Sequence, residues 1–347
     1  MNFSQLHHDS HSIALERCKS FTFDVNQQAE SLVQWEQRYN QHSNGAFSGY
    51  LDELKLGGIH LFEEFTNQTL RQQCCVNESS LWLGFSLQPQ RPKINNNEIG
   101  AGQLMIRPSG VEFELITPQE FQIFGLVLDR EAILKEMVGL DAELWLNHSN
   151  QMLVSEPNSY VSYELSKLIQ LLLNNSSSAA FQNVLLDVNN PSRLRKLQPL
   201  IASRLADLLA QTESGLKEVA VLRPAKQRII TEVGRYTQQT GHYPLTITEL
   251  CKIAHVSRRT LHYCFEQELG VSPIQYIRDC RLNEIRRILL KNETEIIISD
   301  LAVEFGFFHI STFNVHYKQL FGETPTQTIQ RSANYQNATI SYPGASK

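Results

Sequence analysis

Two short stretches of the chain hold contact-making side chains at helical spacing. Arg259, His262 and Tyr263 fall at i, i+3 and i+4, opposite an apolar face formed by Leu261 and Phe265. Ser311, Asn314 and Val315 repeat that spacing 52 positions later, opposite Phe313 and Tyr317. Arginine can give paired hydrogen bonds to guanine O6 and N7, asparagine can pair with adenine, and valine can cover a thymine methyl. His262 suits a base edge, and Arg258 suits a phosphate. His309, Thr312 and Lys318 complete the candidate set on the second stretch. The chemistry these residues offer is recognition of double-stranded DNA. The same faces would also serve phosphate contact or plain solvation, and for Arg259 and Tyr263 both readings stay open. The second stretch has fewer strong donors, so weaker specificity is expected there. His309 and His316 stand seven apart without further ligands, so no metal is expected.

The elements that must carry these side chains are written into the sequence twice. Leu261 answers to Phe313, Phe265 to Tyr317 and Leu269 to Phe321. Gly270 answers to Gly322, Ser272 to Thr324 and Pro273 to Pro325. An apolar face at i, i+4 and i+8, a glycine stop, then a hydroxyl cap followed by proline is the grammar of one helix ending and another beginning. Apolar runs at Leu245–Ala254 and Ile296–Phe305 place a helix before each copy. The junctions are His255-Val256-Ser257 and the longer Gly306-Phe307-Phe308-His309. Each copy therefore reads as helix, short turn, helix, the helix-turn-helix arrangement. Between them a helix of roughly 18 residues would span roughly 27 Å. That length can hold two recognition helices near one DNA turn apart, roughly 34 Å.

The span from Ile247 to Arg331 resembles the AraC/XylS transcription regulators. The resemblance is carried by Ala302, Gly306, Phe307, Phe313, Tyr317, Lys318, Gly322, Thr324 and Pro325. The first half matches through Leu250, Ser257, Leu261, Phe265, Gly270, Ser272, Pro273, Tyr276, Ile277, Arg281 and Leu282. Cys251, Tyr263, Glu266 and the pair Ile329-Gln330 depart from the family's usual residues, which puts any borrowed contact scheme in doubt. The resemblance implies an effector domain followed by a DNA-binding domain. It also implies RNA polymerase as a partner, homodimerisation, and cytoplasmic work as an activator.

At 347 residues the chain is long enough for two domains. The expected plan is α+β: a regulatory domain at 1–210, a linker at 211–224, an all-α double helix-turn-helix domain at 225–332, and a flexible tail at 333–347. Residues 225–332 hold 13 Lys and Arg against 11 Asp and Glu, net +2; the rest holds 18 against 25, net −7. Net charge this small leaves DNA affinity to a local basic stripe. Six cysteines show no disulfide or zinc spacing, so reduced thiols in the cytoplasm are expected. No run of 18 apolar residues predicts a membrane span.

Residues 46–129 read as strands: Leu54–Phe65 around Gly57-Gly58, then Leu81–Leu87, Gly102–Arg107, Val111–Ile116 and Phe121–Asp129. Turn signals between them suggest a β-barrel or cupin-like sandwich. Helices are expected at Ala132–Trp145, Tyr160–Leu173 and Leu194–Gln211, with the apolar stripe at 161–173 serving as core or dimer seam. Barrel mouths hold small ligands, and Glu64, Arg71, Trp82, Glu112 and Glu114 are the candidate effector-binding residues, since a cationic amine needs a carboxylate or an aromatic face. Runs such as Phe47-Ser48-Gly49-Tyr50-Leu51 and Arg107-Pro108-x-Gly110-x-Glu112-Phe113-Glu114-Leu115 are similar to the ethanolamine-operon regulators of the family. That likeness implies activation by ethanolamine with adenosylcobalamin as non-covalent co-effector. The alternatives are another effector, or a protein partner for the N-terminal domain. No hydrolase elbow, zinc-protease or phosphate-loop motif occurs, and His60 is the single histidine between 46 and 145, so an enzyme is not expected.

Overall fold

Alternation of inward and outward side chains builds the first half of the molecule. The computed structural model describes residues 15–32, 35–76, 79–137, 141, 152–175, 191–219, 225–240, 246–291 and 296–340. Strand β1 (Leu15–Thr22) and helix α1 (Val25–Ser31) lead into β2 (Trp35–Gln41), β3 (Gly49–Leu56), β4 (Ile59–Thr66), β5 (Leu70–Val76) and β6 (Ser80–Phe85). Then come β7 (Lys93–Ile94), β8 (Asn97–Glu98), β9 (Met105–Pro108), β10 (Phe113–Thr117), β11 (Phe121–Asp129), α2 (Arg130–Glu136) and β12 (Met152–Ser155). Helices α3 (Ser159–Asn175) and α4 (Pro191–Ala210) and strand β13 (Leu216–Val219) complete this half.

The strands form two antiparallel sheets. One runs β1-β3-β4-β11-β6-β9-β12-β13, the other β2-β5-β10-β7-β8. Among the described residues no ladder joins the two, so the expected barrel is instead an open pair of sheets. Trp35, Phe62, Trp82 and Phe113 fill the space between them, with ring centroids 5.1–6.3 Å apart. The larger sheet's other face buries Leu61, Leu83 and Leu126 under Val161, Leu165 and Ile169 of α3 and Leu205 and Leu209 of α4. The stripe at 161–173 is thus core. The long strand expected at Phe121–Asp129 is the one observed as β11. The expected helix at Ala132–Trp145 is described only as far as Glu136, and Trp145 lies outside the described residues.

Several elements have no counterpart in the reading of the sequence, among them β1, α1, β2 and β5. Strand β2 shows why, because Tyr39, Asn40 and Gln41 are buried in succession and the polar ones face another part of the chain. The segment read as a linker also differs. Glu213–Gly215 is a 3-10 turn, and β13 pairs with β12, so the N-terminal sheet continues to Val219. Residues 220–224 lie outside the described residues.

The C-terminal half is helical: α5 (Ala225–Thr240), α6 (Ile247–Ile253), α7 (Arg258–Leu269), α8 (Pro273–Lys291), α9 (Ile298–Glu304), α10 (Ile310–Phe321) and α11 (Pro325–Ile340). The last helix takes in 333–340 of the expected tail; 341–347 lie outside the described residues. Caps fall where the sequence places them. Thr246 and Glu249 form a capping box, and Ser257 accepts from the Thr260 amide. Gly270 and Gly322 close α7 and α10 in the left-handed region, at φ 68° and 74°. No helix among the described residues is long and apolar enough to cross a membrane.

Gly125 of β11 leaves room for the ring of Phe62, its cross-strand neighbour on β4. A Cβ there would lie 2.0 Å from Cζ of Phe62. Gly125→Ala should therefore push Phe62 off its packing and destabilise the protein by about 1–3 kcal/mol, read as a lower urea midpoint with unchanged slope.

Candidate nucleic-acid interface

Each helix-turn-helix unit is set by its junction. In the first, the Val256 amide donates to the Cys251 carbonyl (3.0 Å) and His255 takes φ 53°. In the second, Phe307 donates to the Ala302 carbonyl (2.8 Å) and Gly306 takes φ 81°. His255 therefore occupies a left-handed position that its counterpart fills with glycine, at a strain cost of order 1 kcal/mol. The second junction's additional residue is Phe308, which is 65% exposed beside α10. Ser257 caps α7 through its side chain, whereas His309 makes no cap bond to α10.

Two separate cores hold the recognition helices. Leu261, Cys264 and Phe265 of α7 pack with Ile230 and Val233 of α5, Leu250 of α6 and Tyr276 of α8. Phe313, Tyr317 and Leu320 of α10 pack with Leu301 of α9 and Leu282, Ile285 and Leu289 of α8. Helix α8 thus belongs to both cores. The opposite faces are open. Arg258, Arg259 and Tyr263 on α7 are exposed, as are Ser311, Thr312, Asn314, Val315 and Lys318 on α10, and His309 at its start. His262 is half-buried, and its Nε2 is shielded without a partner. His316 is half-buried too, and burial followed by the Arg278 charge lowers its imidazole pKa, so it stays neutral. The sequence reading missed Lys226 of α5, whose ammonium sits 4.6 Å over the Tyr263 ring. It adds a cation to the first reading face from outside the repeat, where no periodicity marks it.

The far side of α8 is docked on the N-terminal half. Asp24 caps α1 through the Asn26 amide (2.8 Å) and also receives Arg286 (2.8 Å) and Arg331 (2.7 Å). Glu323 takes the same two guanidinium groups at 2.8 and 3.1 Å. Burial alone would raise the Asp24 carboxyl, but the two arginines hold it below the ordinary value. Asn283 accepts from the Gln41 amide and donates to the Gln41 carbonyl, both at 3.0 Å. Arg287 reaches the Tyr39 carbonyl (2.6 Å), and Arg38 pairs with Glu284. In the second module the Leu320 carbonyl accepts from Gln41 (2.6 Å). In the first, Glu268 receives Asn96 (2.9 Å). Both modules are therefore tied to the sheets.

The effector candidates do not converge. Glu64 and Trp82 point between the sheets. Trp82 is core, stacked on Phe113 at 5.1 Å. Glu64 is buried, accepting from Gln28 (2.9 Å) and Tyr39 (3.3 Å), and burial pushes its carboxyl up to about 7. Arg71 and Glu114 pair on the outer face of the smaller sheet, with the Arg71 guanidinium 5.2 Å over Tyr276 of α8. Glu112 is exposed, its carbonyl accepting from Arg107 at 3.3 Å. Adenosylcobalamin does not fit these residues. It exceeds the drug-sized ligands that occupy roughly 300–1,000 Å3. The clefts around Thr231, Arg71 and Thr312 enclose about 520, 290 and 260 Å3, and Glu64, Trp82, Glu112 and Glu114 line none of them.

Comparison with known proteins agrees with the helical half. A family model described as a helix-turn-helix domain matches residues 250–331. The XylDLEGF operon transcriptional activator 1 of Pseudomonas putida is 29% identical over 134 residues, which is 38% of this chain and 39% of that relative. The HTH-type transcriptional regulator ArgR of Pseudomonas aeruginosa is 36% identical over 84 residues, 24% of this chain and 25% of that relative. The chain thus spans about two-fifths of the first relative's length and a quarter of the second's. The crystal structure of the AraC-like transcriptional activator CuxR covers 80% of this chain and 96% of its own, at 17% identity and a TM-score of 0.38. The C-terminal region is a helix-turn-helix region similar to those of these transcription regulators. These relatives are regulators of transcription, not enzymes.

Two outcomes test the geometry. Arg259→Ala should cost about 1–3 kcal/mol at one base position and relax the preference there, whereas Lys226→Ala should weaken binding alike on all sequences and lower the salt slope by about 1; titrating a base-substituted duplex series at several salt concentrations checks both. Glu64 has the opposite reach. Its folded value of about 7 lies above the ordinary 4.5, so its contribution to stability is full below 4.5 and is lost as pH rises through 7. Urea melts across that interval should show a fall of about 3 kcal/mol that Glu64→Gln flattens.

Proposed function

We propose that the protein is a sequence-specific transcription activator. Its two recognition helices read duplex DNA, and its N-terminal half responds to a small-molecule effector. The observation that carries this reading is the division of faces on the helical half. The surfaces of α7 and α10 that hold Arg259 and Asn314 are open, while the opposite side of α8 is fastened to the sheets by Asp24, Gln41 and Tyr39. A shift in the sheets would move both modules together, which is how an effector that binds two states unequally alters DNA affinity.

Arg258, Arg259, His262, Tyr263, His309, Ser311, Thr312, Asn314, Val315 and Lys318 form the proposed DNA-contacting set, with Lys226 added. RNA polymerase as partner, pairing of two copies on half-sites and residence in the cytoplasm follow from the same reading. The activating role of the Pseudomonas putida relative on its operon supports the activating sense. Ethanolamine control is the finer version, supported by the runs around Phe47 and Glu112, though the described clefts do not fit a corrinoid.

A thermal-shift scan of the full chain with ethanolamine, adenosylcobalamin, both, and a panel of small metabolites tests the effector part. Stabilisation requiring adenosylcobalamin would establish the ethanolamine version. A response to another metabolite alone would discard it and keep the regulator. Silence toward every compound, together with specific DNA binding, would favour a protein partner for the N-terminal half.

A further inference from the structure

Helix α8 carries a face that is turned away from the sheets. Tyr276, Asn283 and Arg287 look toward Arg71, Gln41 and Tyr39 of the N-terminal half. Ile274, Arg278 and Arg281 follow at i, i+4 and i+7 on the opposite side of the helix. With the second junction and the start of α10 they border a cleft of about 260 Å3 between the two modules. We infer that this cleft is a third DNA-contacting site, at which Phe308 lies against the duplex between the two read segments and Arg278 and Arg281 hold its phosphates, a role that rests on the DNA-binding reading above.

Position and charge point to this occupant. His309 and Thr312, both in the proposed DNA-contacting set, also border the cleft, so it continues the second reading face toward the first. A duplex that enters both recognition helices must cross the face of α8 that the sheets leave free. Among the described residues two guanidinium groups and no carboxylate line the cleft, which suits a polyanion and not an acidic protein surface. Arg278 gives its Nε to the buried Asp279 at 3.4 Å, and its terminal nitrogens have no hydrogen-bond partner among the described residues. A phosphate can take them while Asp279 steadies the guanidinium plane. The apolar rim is the second observation. Phe308 is 65% exposed and Ile274 is 49% exposed, side by side at the mouth. Phe308 is the residue by which the second junction exceeds the first, so the additional length places an aromatic ring in the open. An apolar side chain held between phosphate contacts can press on a minor-groove base step, and it favours steps that unstack easily. The cleft would then give sequence preference at a position that neither recognition helix reaches.

The test uses the full-length protein and a duplex that it selects from a random library. The base step midway between the two selected segments is then changed among TA, CA and AA. The wild type should prefer TA and CA over AA by roughly threefold or more. Phe308→Ala should lose that preference and keep those within the selected segments, and Arg278→Gln should lower the salt slope by about 1. Val303→Ala, a change at a 51% exposed residue of α9 outside the cleft, should alter neither. Thermal melts of the three variants check that each is folded. A central-step preference retained in Phe308→Ala, or an unchanged salt slope in Arg278→Gln, would overturn the assignment. Unaltered duplex binding in both with loss of reporter activation would give the cleft to a protein partner instead. Selection of no duplex at all would remove the DNA-binding reading itself, whereas selective binding without these changes removes only the third contact.

Discussion

Two carboxylates and two guanidinium groups meet where α1, α8 and α11 converge. Asp24 is fully buried and Arg286 is 3% exposed. Ions placed so deep lose their hydration, at several kcal/mol each, and only close partners offset that loss. Here each guanidinium has two carboxylates, and Arg286 also lies 4.5 Å over the Phe321 ring. The rest of the structure depends on this knot. Asp24 caps α1, α1 packs on the sheets, and Arg286 is on the helix shared by both DNA-binding cores. Removing one partner would strand a buried charge, so the halves cannot part at this point cheaply.

Sharing α8 has a consequence for the modules. Leu282, Ile285 and Leu289 serve the second core, while Tyr276 and Ile277 serve the first. At 19 residues the helix is about 28 Å long. A rigid spacer of that length sets the separation of α7 and α10, so the pair acts as one ruler. The chemistry along the ruler is unequal. The first reading face holds Arg258, Arg259 and Lys226 near Tyr263, and the second holds Asn314, Val315 and Lys318 with Phe308 alongside. Charge anchors one end, and the other has more apolar surface.

The helical half was legible because its information is local. Hydroxyl caps, apolar triplets and glycine stops lie within a few residues of what they fix, and their repetition marked them. The exposed faces followed from counting positions against Leu261 and Phe313. The seam was not legible in this way. Arg286 and Asp24 are 262 positions apart, and in the sequence Arg286 is one of several arginines on a mixed helix. Asn40 and Gln41 are buried against α8, and nothing near them in the sequence shows it. The effector candidates are split for a related reason. Residue type suggested a cluster, but strand register sends Glu64 and Trp82 inward and Arg71 and Glu114 outward.

The seam's energetics limit what an effector can do there. Breaking one buried pair costs about 3–5 kcal/mol. A ligand at a hundred times its dissociation constant contributes about 2.7 kcal/mol. Such a ligand therefore cannot pull Asp24 from Arg286 unaided. It can decide the weaker contacts of the first module, where Lys93 and Glu268 stand 3.6 Å apart. Because α8 belongs to both cores, α7 and α10 stay one unit, and only light contacts at the rim, such as Lys93 with the Glu268 carbonyl at 3.1 Å, are open to such a change.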